Sequence, residues 1–360
     1  MYWTILKITR MFVSRNVLAV MATLFALTSS ANPADVRVLV DVSGSMKQAD
    51  PKAVRGPATA LLAAMLPDQS MGGIWLFGSD VRSLVPYGPV NVRWDALARP
   101  IESSIGSTDR FTHMENALRT GIQAGGEIHP NACHVILITD GIVDVQGGKN
   151  TSQASRDRIL KNVLPDAVDR SCRIHTIALS SKADIPLLRQ MAIQTDGLFT
   201  LLERPGDLIP VMLDALELAL RSQQLPIRNQ SIRIDSNVRQ IRLIKLSSDE
   251  TIQMTSDEMV INKNSPIEGL DYYSGNGYQT LIWSNPVPNN YELVQPFTSS
   301  DRILIDSDVR LSTTELPPTI SSDQTLGLTA NLTGPKGVIE DVSRQFGVSF
   351  GQDVDPRRFK

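Results

Sequence analysis

The sequence predicts an α/β fold: a doubly wound, Rossmann-like, mostly parallel sheet with helices on both faces, followed by an all-β sandwich-like domain. Three observations lead there. Between residues 36 and 222, short apolar runs alternate with segments of helical periodicity, the pattern of strands joined by crossover helices. Residues 135–139 are apolar or β-branched throughout, as in a strand covered on both faces. After about residue 225, short alternating runs separated by Ser, Gly, Asn and Pro clusters take over. That is the spacing of a β-sandwich.

The elements follow in order. The first 31 residues read as a secretory signal peptide. Lys7, Arg10 and Arg15 form a positive front, 17–27 is an apolar run with one Thr, and Ser29-Ser30-Ala31 is a small-residue cleavage site. The run is short for a membrane span; an uncleaved N-terminal anchor is the alternative. Cleavage would take the formal charge from −3 to −6. A first strand is expected at 36–42, and a helix at 56–66 with Pro57 early and Leu61, Leu62, Met65 and Leu66 inward. Strand 73–77 is followed by an edge companion at 81–85. Met114, Ala117, Leu118 and Ile122 lie at i, i+3, i+4 and i+8, so 112–124 is an amphipathic helix. Strand 135–139, helix 153–169 and strand 173–179 come next. Asp184 and Pro186 open another helix, and strand 198–202 and helix 207–221 close the region. The domain reading is signal peptide 1–31, α/β domain 34–222, linker 223–230, β-domain 231–334, and a tail or incomplete strand set 335–360. Strand-like runs in the β-domain fall at 232–234, 241–246, 251–254, 259–261, 279–283, 291–294, 303–305 and 326–332.

The chemistry gathers at the end of the first strand. Asp41, Ser43 and Ser45 place one carboxylate and two hydroxyls on a turn that Gly44 lets bend sharply. Small oxygen ligands at alternate positions suit a hard divalent cation such as Mg²⁺; a helix N-cap has a similar look. Two further motifs bear on the choice. Residues 111–118, Phe-Thr-His-Met-Glu-Asn-Ala-Leu, contain Thr112, and 135–141, Val-Ile-Leu-Ile-Thr-Asp-Gly, contain Asp140. Together, in this order and spacing, the three motifs resemble the von Willebrand factor type A family, over roughly residues 34–222.

The resemblance implies a metal-ion-dependent adhesion site made by Asp41, Ser43, Ser45, Thr112 and Asp140. The serines and the threonine would touch the cation, and the aspartates would bind it directly or through water. Mg²⁺ is the expected cofactor, with Mn²⁺ and Ca²⁺ as alternatives. A partner protein's Asp or Glu would fill the open position. Thr108 rivals Thr112, and the spacing to Ala117-Leu118 favours Thr112. Thr139 is expected to point into the sheet or to support Asp140, and Asp144 to be a loop residue.

The function expected is therefore an exported, metal-dependent adhesion or assembly module, periplasmic or secreted, and no enzyme. The alternative is a Mg²⁺-dependent phosphoryl-transfer hydrolase with Asp41 as nucleophile. That chemistry wants an acid/base Asp two residues on, where Ser43 stands, and no Gly-x-Ser-x-Gly elbow is present. The net charge and the lack of a Lys/Arg cluster interleaved with aromatics argue against nucleic acid. No stretch after the first 31 residues reads as a membrane span. The histidines show no zinc spacing, His175 reading as a hydrogen-bonded core residue. Asp301, Asp306 and Asp308 read as turn and strand-edge acids. The only two cysteines, Cys133 and Cys172, each precede a predicted strand. In the predicted sheet these strands are parallel neighbours, so an intrachain disulfide is expected, closing a loop of about 40 residues.

Overall fold

A computed structural model describes residues 34–126, 133–220, 222–225, 227, 229–247, 250–313, 330–334 and 337–338. The expected signal peptide at 1–31 and most of the tail at 335–360 lie outside the described residues, as do residues 326–329 of the last expected strand. The chain forms two compact units that divide between Arg221 and Ser222.

The first unit alternates strands and helices. Strand β1 is Asp35–Asp41, followed by the short helix α1 (Met46–Ala49) and α2 (Arg55–Ala64). Then come β2 (Met71–Phe77), β3 (Val81–Pro89), α3 (Val92–Ala98), a 3-10 segment Arg99–Ser104, and α4 (Met114–Gln123). Strand β4 is Cys133–Thr139, and α5 (Lys149–Arg158) runs through a π turn, Ile159–Val163, into α6 (Leu164–Asp169). Strand β5 (Arg173–Ala178), α7 (Ile185–Gln194), β6 (Phe199–Leu201) and α8 (Leu208–Leu220) complete the unit. The sheet order is β3-β2-β1-β4-β5-β6. Only β3 runs antiparallel to its neighbour, as the edge companion predicted for that segment. The chain builds outward from β1 through β2, then returns to β4 and builds the other way. The switch point therefore falls between β1 and β4, where open α/β sheets bind ligands beyond the strand carboxyl ends.

Alternation along the strands explains the two cores. Leu39, Phe77 and Leu137 point into a core shared with Met114, Leu118, Ile159 and Leu188. Val38, Val40, Ile136 and Ile138 are equally buried and point to the opposite face, and α2 packs against α8. In α2, a Cβ on Gly56 would collide with the carbonyl of Glu102, so only glycine lets this helix approach the 3-10 segment. The helix expected at 153–169 begins earlier, at Lys149, and contains the π turn. Pro165 has no N–H to offer the preceding turn, and the widened turn accommodates its ring. Helix α3 was invisible to periodicity because it is seven residues long. Its start is set by Asn91, whose side chain accepts from the backbone N–H of Arg93 and Trp94.

Cys133 and Cys172 form a disulfide, with Cα atoms 4.4 Å apart. His134 pairs with Arg173 in the parallel register of β4 and β5, so the residues just before them lie side by side. Among the described residues no helix is long and apolar enough to cross a membrane.

The second unit is all-β. Its strands are β7 (Gln223–Gln224), β8 (Ser231–Ile234), β9 (Val238–Lys245), β10 (Gln253–Thr255), β11 (Val260–Asn262), β12 (Leu270–Gly275), β13 (Tyr278–Ser284), β14 (Asn289–Leu293), β15 (Arg302–Ser307), β16 (Arg310–Thr313), β17 (Ala330–Gly334) and β18 (Gly337–Val338). One sheet has the order β11-β10-β14-β8, a second β12-β13-β9-β15-β7, and β16-β17-β18 form a small third. Ile241, Leu243, Leu281 and Trp283 of the second sheet meet Ile232, Ile234, Met254, Tyr291 and Leu293 of the first in one core. The Trp283 and Tyr291 rings meet edge to face, centroids 5.8 Å apart. Strand β12 was not anticipated. It is a partly exposed edge strand, paired to β13 across Asn276-Gly277, with Gly277 at φ +88°. Part of the expected linker 223–230 is also sheet: Gln223 and Gln224 pair with Ile305 and Leu304.

Candidate metal centre

The centre is built on the carboxyl ends of β1 and β4. These strands are parallel neighbours, Val40 opposite Ile138, so Asp41 and the residue after Thr139 emerge on the same edge. Asp41 is fully buried. Its Oδ1 accepts from the backbone N–H of Ser43 at 2.8 Å, and its Oδ2 accepts from Thr139 Oγ1 at 2.6 Å. Ser45 Oγ donates to Asp140 Oδ1 at 2.9 Å and lies 3.1 Å from Ser43 Oγ. Thr112 arrives from the loop ahead of α4. Its N–H donates to Asp144 O at 2.7 Å, and Asp144 N–H returns to Thr112 O at 3.3 Å. A Cβ on Gly141 would lie 3.6 Å from Thr112 Oγ1 and 3.9 Å from Asp41 Oδ2, so both oxygens border one point.

All five residues singled out from the sequence thus lie around one small region. Thr108 does not share it: its exposed hydroxyl donates to Asp109 Oδ1 at 3.1 Å. Asp144 contributes its backbone to the strut on Thr112. Thr139 differs from expectation, since its hydroxyl holds Asp41 and accepts from Gly141 N–H at 3.2 Å. It ends a fully buried strand, and the side chain it reaches is the acid of the neighbouring strand.

Electrostatics set the character of the site. Burial pushes the Asp41 carboxyl up to about 6; the hydrogen bonds from Ser43 and Thr139 oppose this, and nearby Asp140 adds to it. Burial also raises Asp140, against its hydrogen bond from Ser45. Among the described residues no cationic side chain hydrogen-bonds either carboxylate; Arg55 acts on them only through space. Two buried acids side by side, with three hydroxyls around them, form a set of hard oxygen donors that fits Mg²⁺ or a similar ion. No three His, Cys, Asp or Glu side chains gather as a metal cage among the described residues. The donor set is instead two carboxylates and three hydroxyls.

Sequence reasoning missed the supports of the site. Asp109 is gripped by Ser79 N–H at 3.0 Å and by Arg82 at 2.9 Å, and its carbonyl accepts from Gly44 N–H at 2.7 Å. Arg55 is buried between Asp50 and the Asp41 backbone. The available signal was a lone arginine at the start of an otherwise apolar helix.

His134 and His175 meet side by side on β4 and β5. His175 accepts from Leu198 N–H through Nδ1 at 3.1 Å, so its proton sits on Nε2 and is donated to His134 Nδ1 at 3.0 Å. Burial, with His134 and Arg173 nearby, pushes His175 down to about 3. His175 is thus the hydrogen-bonded core residue expected. In the β unit, Asp301 caps a turn, accepting from Leu246 N–H and Thr298 N–H, each at 2.7 Å.

Strand order and loop placement decide the fold of the first unit. It is a Rossmann-like, doubly wound α/β fold, as the von Willebrand factor type A resemblance implies. Solved structures similar to the chain include a von Willebrand factor type A protein from Catenulispora acidiphila, at 13% identity and TM-score 0.44, covering 85% of this chain and 64% of that one. BatB from Bacteroides thetaiotaomicron is similar at 13% identity and TM-score 0.41, over 52% of this chain and 100% of that one. Proximal thread matrix protein 1 from the mussel byssus, described with a zinc-occupied MIDAS motif, is similar at 16% identity and TM-score 0.41, covering 54% and 49%. The chain spans about two thirds or less of the length of the first and third of these. No protein-family model matches the chain, and the comparison with curated proteins gives no match.

Proposed function

We propose that the protein is an exported, metal-dependent protein-binding module that uses the Asp41–Asp140 centre to hold Mg²⁺ and, through it, a carboxylate of a partner. The observation that carries this reading is a pair of adjacent buried carboxylates, Asp41 and Asp140, bordered by three hydroxyls and hydrogen-bonded by no cation among the described residues. A divalent ion relieves that crowding of negative charge. Ser43, Ser45 and Thr112 would touch the ion, and Asp41 and Asp140 would bind it directly or order its waters. When bound, Mg²⁺ supplies an electrophilic position for an oxygen of a partner's Asp or Glu. Because only two protein donors carry formal charge, the ion keeps its attraction for that third carboxylate.

The hydrolase alternative is less well supported. Both oxygens of Asp41 are engaged by Ser43 and Thr139, and the side chain is fully buried. A nucleophile needs an open path to its target. The disulfide supports export, because such bonds persist in oxidising compartments.

Mg²⁺ titration calorimetry, followed by crosslinking of the envelope and secreted fractions with and without chelator, tests the reading. Saturable Mg²⁺ binding and a chelator-sensitive protein partner are expected. Absence of Mg²⁺ or Mn²⁺ binding would reject it, and Mg²⁺-dependent phosphatase activity lost in Asp41→Asn would favour the alternative.

A further inference from the structure

We propose that Arg55 is a positioning residue of the metal centre. It ties the 41–45 turn to the loop carrying Thr112, so that the oxygens of Asp41, Ser43, Ser45 and Thr112 are gathered before a cation arrives. The inference rests on the metal-centre reading and deepens it.

Arg55 is fully buried in the first turn of α2. An arginine in such a place is costly unless its fork is well used. Nη1 donates to the backbone carbonyl of Asp41 at 2.7 Å. Nη2 donates to Ser107 Oγ at 2.7 Å and, more weakly, to Gly106 O at 3.4 Å. Nε lies 2.9 Å from Asp50 Oδ2 but without the alignment of a hydrogen bond, so that contact is ionic. Asp50 is itself fixed, accepting from Val54 N–H at 2.8 Å and Arg55 N–H at 3.1 Å.

One planar group therefore joins three segments: the end of β1, the residue that closes α1, and the loop that leads to Thr112. The same loop is stitched to the turn by backbone bonds. Thr108 N–H and Asp109 N–H donate to Val42 O at 3.0 and 3.1 Å, and Gly44 N–H donates to Asp109 O at 2.7 Å. Arg55 grips Asp41 by its carbonyl, which leaves the carboxylate for the ion. A lysine would keep the charge but lose the fork, making a point contact where three directions are required.

The test is Mn²⁺ calorimetry on the full chain as wild type, Arg55→Lys, Ser107→Ala and Asp41→Ala, with amide exchange measured in the chelated protein. Arg55→Lys should weaken Mn²⁺ binding about ten- to a hundredfold, the usual loss when a group that orients a metal ligand is removed. Ser107→Ala, which cuts one arm of the fork, should show a smaller loss. In the chelated Arg55→Lys protein, the Gly44 and Thr108 amides should exchange faster than in wild type. A variant with lowered Tm but wild-type Mn²⁺ affinity and exchange would make Arg55 a structural ion pair only and overturn the proposal. If Arg55→Lys fails to fold, unchanged affinity in Ser107→Ala overturns it equally. Wild type that binds no Mn²⁺, or Asp41→Ala that binds it fully, would sink the metal-centre reading itself.

Discussion

Asp301 of the β unit and the Asp41–Asp140 pair of the α/β unit are buried acids answered in opposite ways. In the β unit, Asp301 accepts from two backbone N–H groups and from Thr298 Oγ1, and Lys245 Nζ stands 3.8 Å away. Its hydrogen-bonding and its charge are both answered within the fold. In the α/β unit, Asp41 and Asp140 receive hydroxyl and backbone donors and lie beside each other, and the one buried cation near them, Arg55, reaches them only through space. Burial raises a carboxyl's pKa where no cation in direct contact offsets it. The lesson is that burial alone does not mark a functional acid. What marks one is burial beside a second acid at a strand end, with no cation in hydrogen-bond contact.

That comparison breaks if the two acids behave alike. Asp41→Ala should abolish Mg²⁺ or Mn²⁺ binding by calorimetry while the chain stays folded. Asp301→Ala should leave metal binding untouched and cost about 1–3 kcal/mol in denaturant unfolding, because two backbone donors lose their acceptor. Metal binding that survives Asp41→Ala, or is lost with Asp301→Ala, would invert the assignment.

The disulfide sharpens the contrast, since it belongs to the α/β unit alone. Reduction should destabilise that unit by up to about 4 kcal/mol and leave the β unit's unfolding transition in place. A reductant that shifts both transitions equally would contradict this.

All four histidines of the chain precede residue 222, so acid should act differently on the two units. His175 is held down to about 3 in the fold, against about 6.5 unfolded. Above pH 6.5 it is neutral in both states and stability is undiminished. As pH falls below 6.5 the unfolded chain takes the proton and the folded one does not, costing about 1.4 kcal/mol per pH unit until about pH 3. Asp41, pushed up to about 6, has the opposite sign. Its destabilising charge is relieved as pH falls from about 6 towards the unfolded value of about 3.9. The two effects offset one another in the metal-free wild type. Asp41→Ala should unmask the His175 slope in urea unfolding between pH 6.5 and 4, and adding His175→Gln should flatten it again. Because burial raises Asp140 as well, a profile that stays flat when Asp140→Asn is added to Asp41→Ala would show that His175 is not held neutral.

The smallest effect separates the two threonines. Thr112→Ala should weaken Mn²⁺ binding about tenfold, one lost contact being worth about 1.4 kcal/mol. Thr108→Ala, whose hydroxyl is turned to Asp109, should be silent in the same titration. The reverse result would transfer the role to Thr108.

Much of this was legible in the chain. Periodicity placed every strand of the large sheet within a few residues, because the apolar runs of β1 and β4 are buried along their whole length. The register of Cys133 and Cys172 followed from strands expected to be neighbours. The seven-residue α3 and the edge strand β12 escaped, the first too short for a period and the second too exposed for one. The π turn before Pro165 escaped as well, since a helical pattern does not reveal how a proline inside it is accommodated.

The sequence by itself determined the donor types at the candidate centre and their place at strand ends. Asp41, Ser43 and Ser45 share one turn, so local geometry alone brings them together. What joins them to Thr112 and Asp140 is tertiary: β4 must pair with β1, and the loop before α4 must fold back on Val42, Gly44 and Asp144. Only the tertiary structure decided that Thr139 serves Asp41, that Thr108 faces Asp109, and that Arg55 lies beneath the turn with its fork spent on three segments. The reason is directional. Periodicity reports which side of an element is apolar, whereas a hydrogen bond depends on where a particular oxygen ends up, and that is known only once the strands and loops around it have closed.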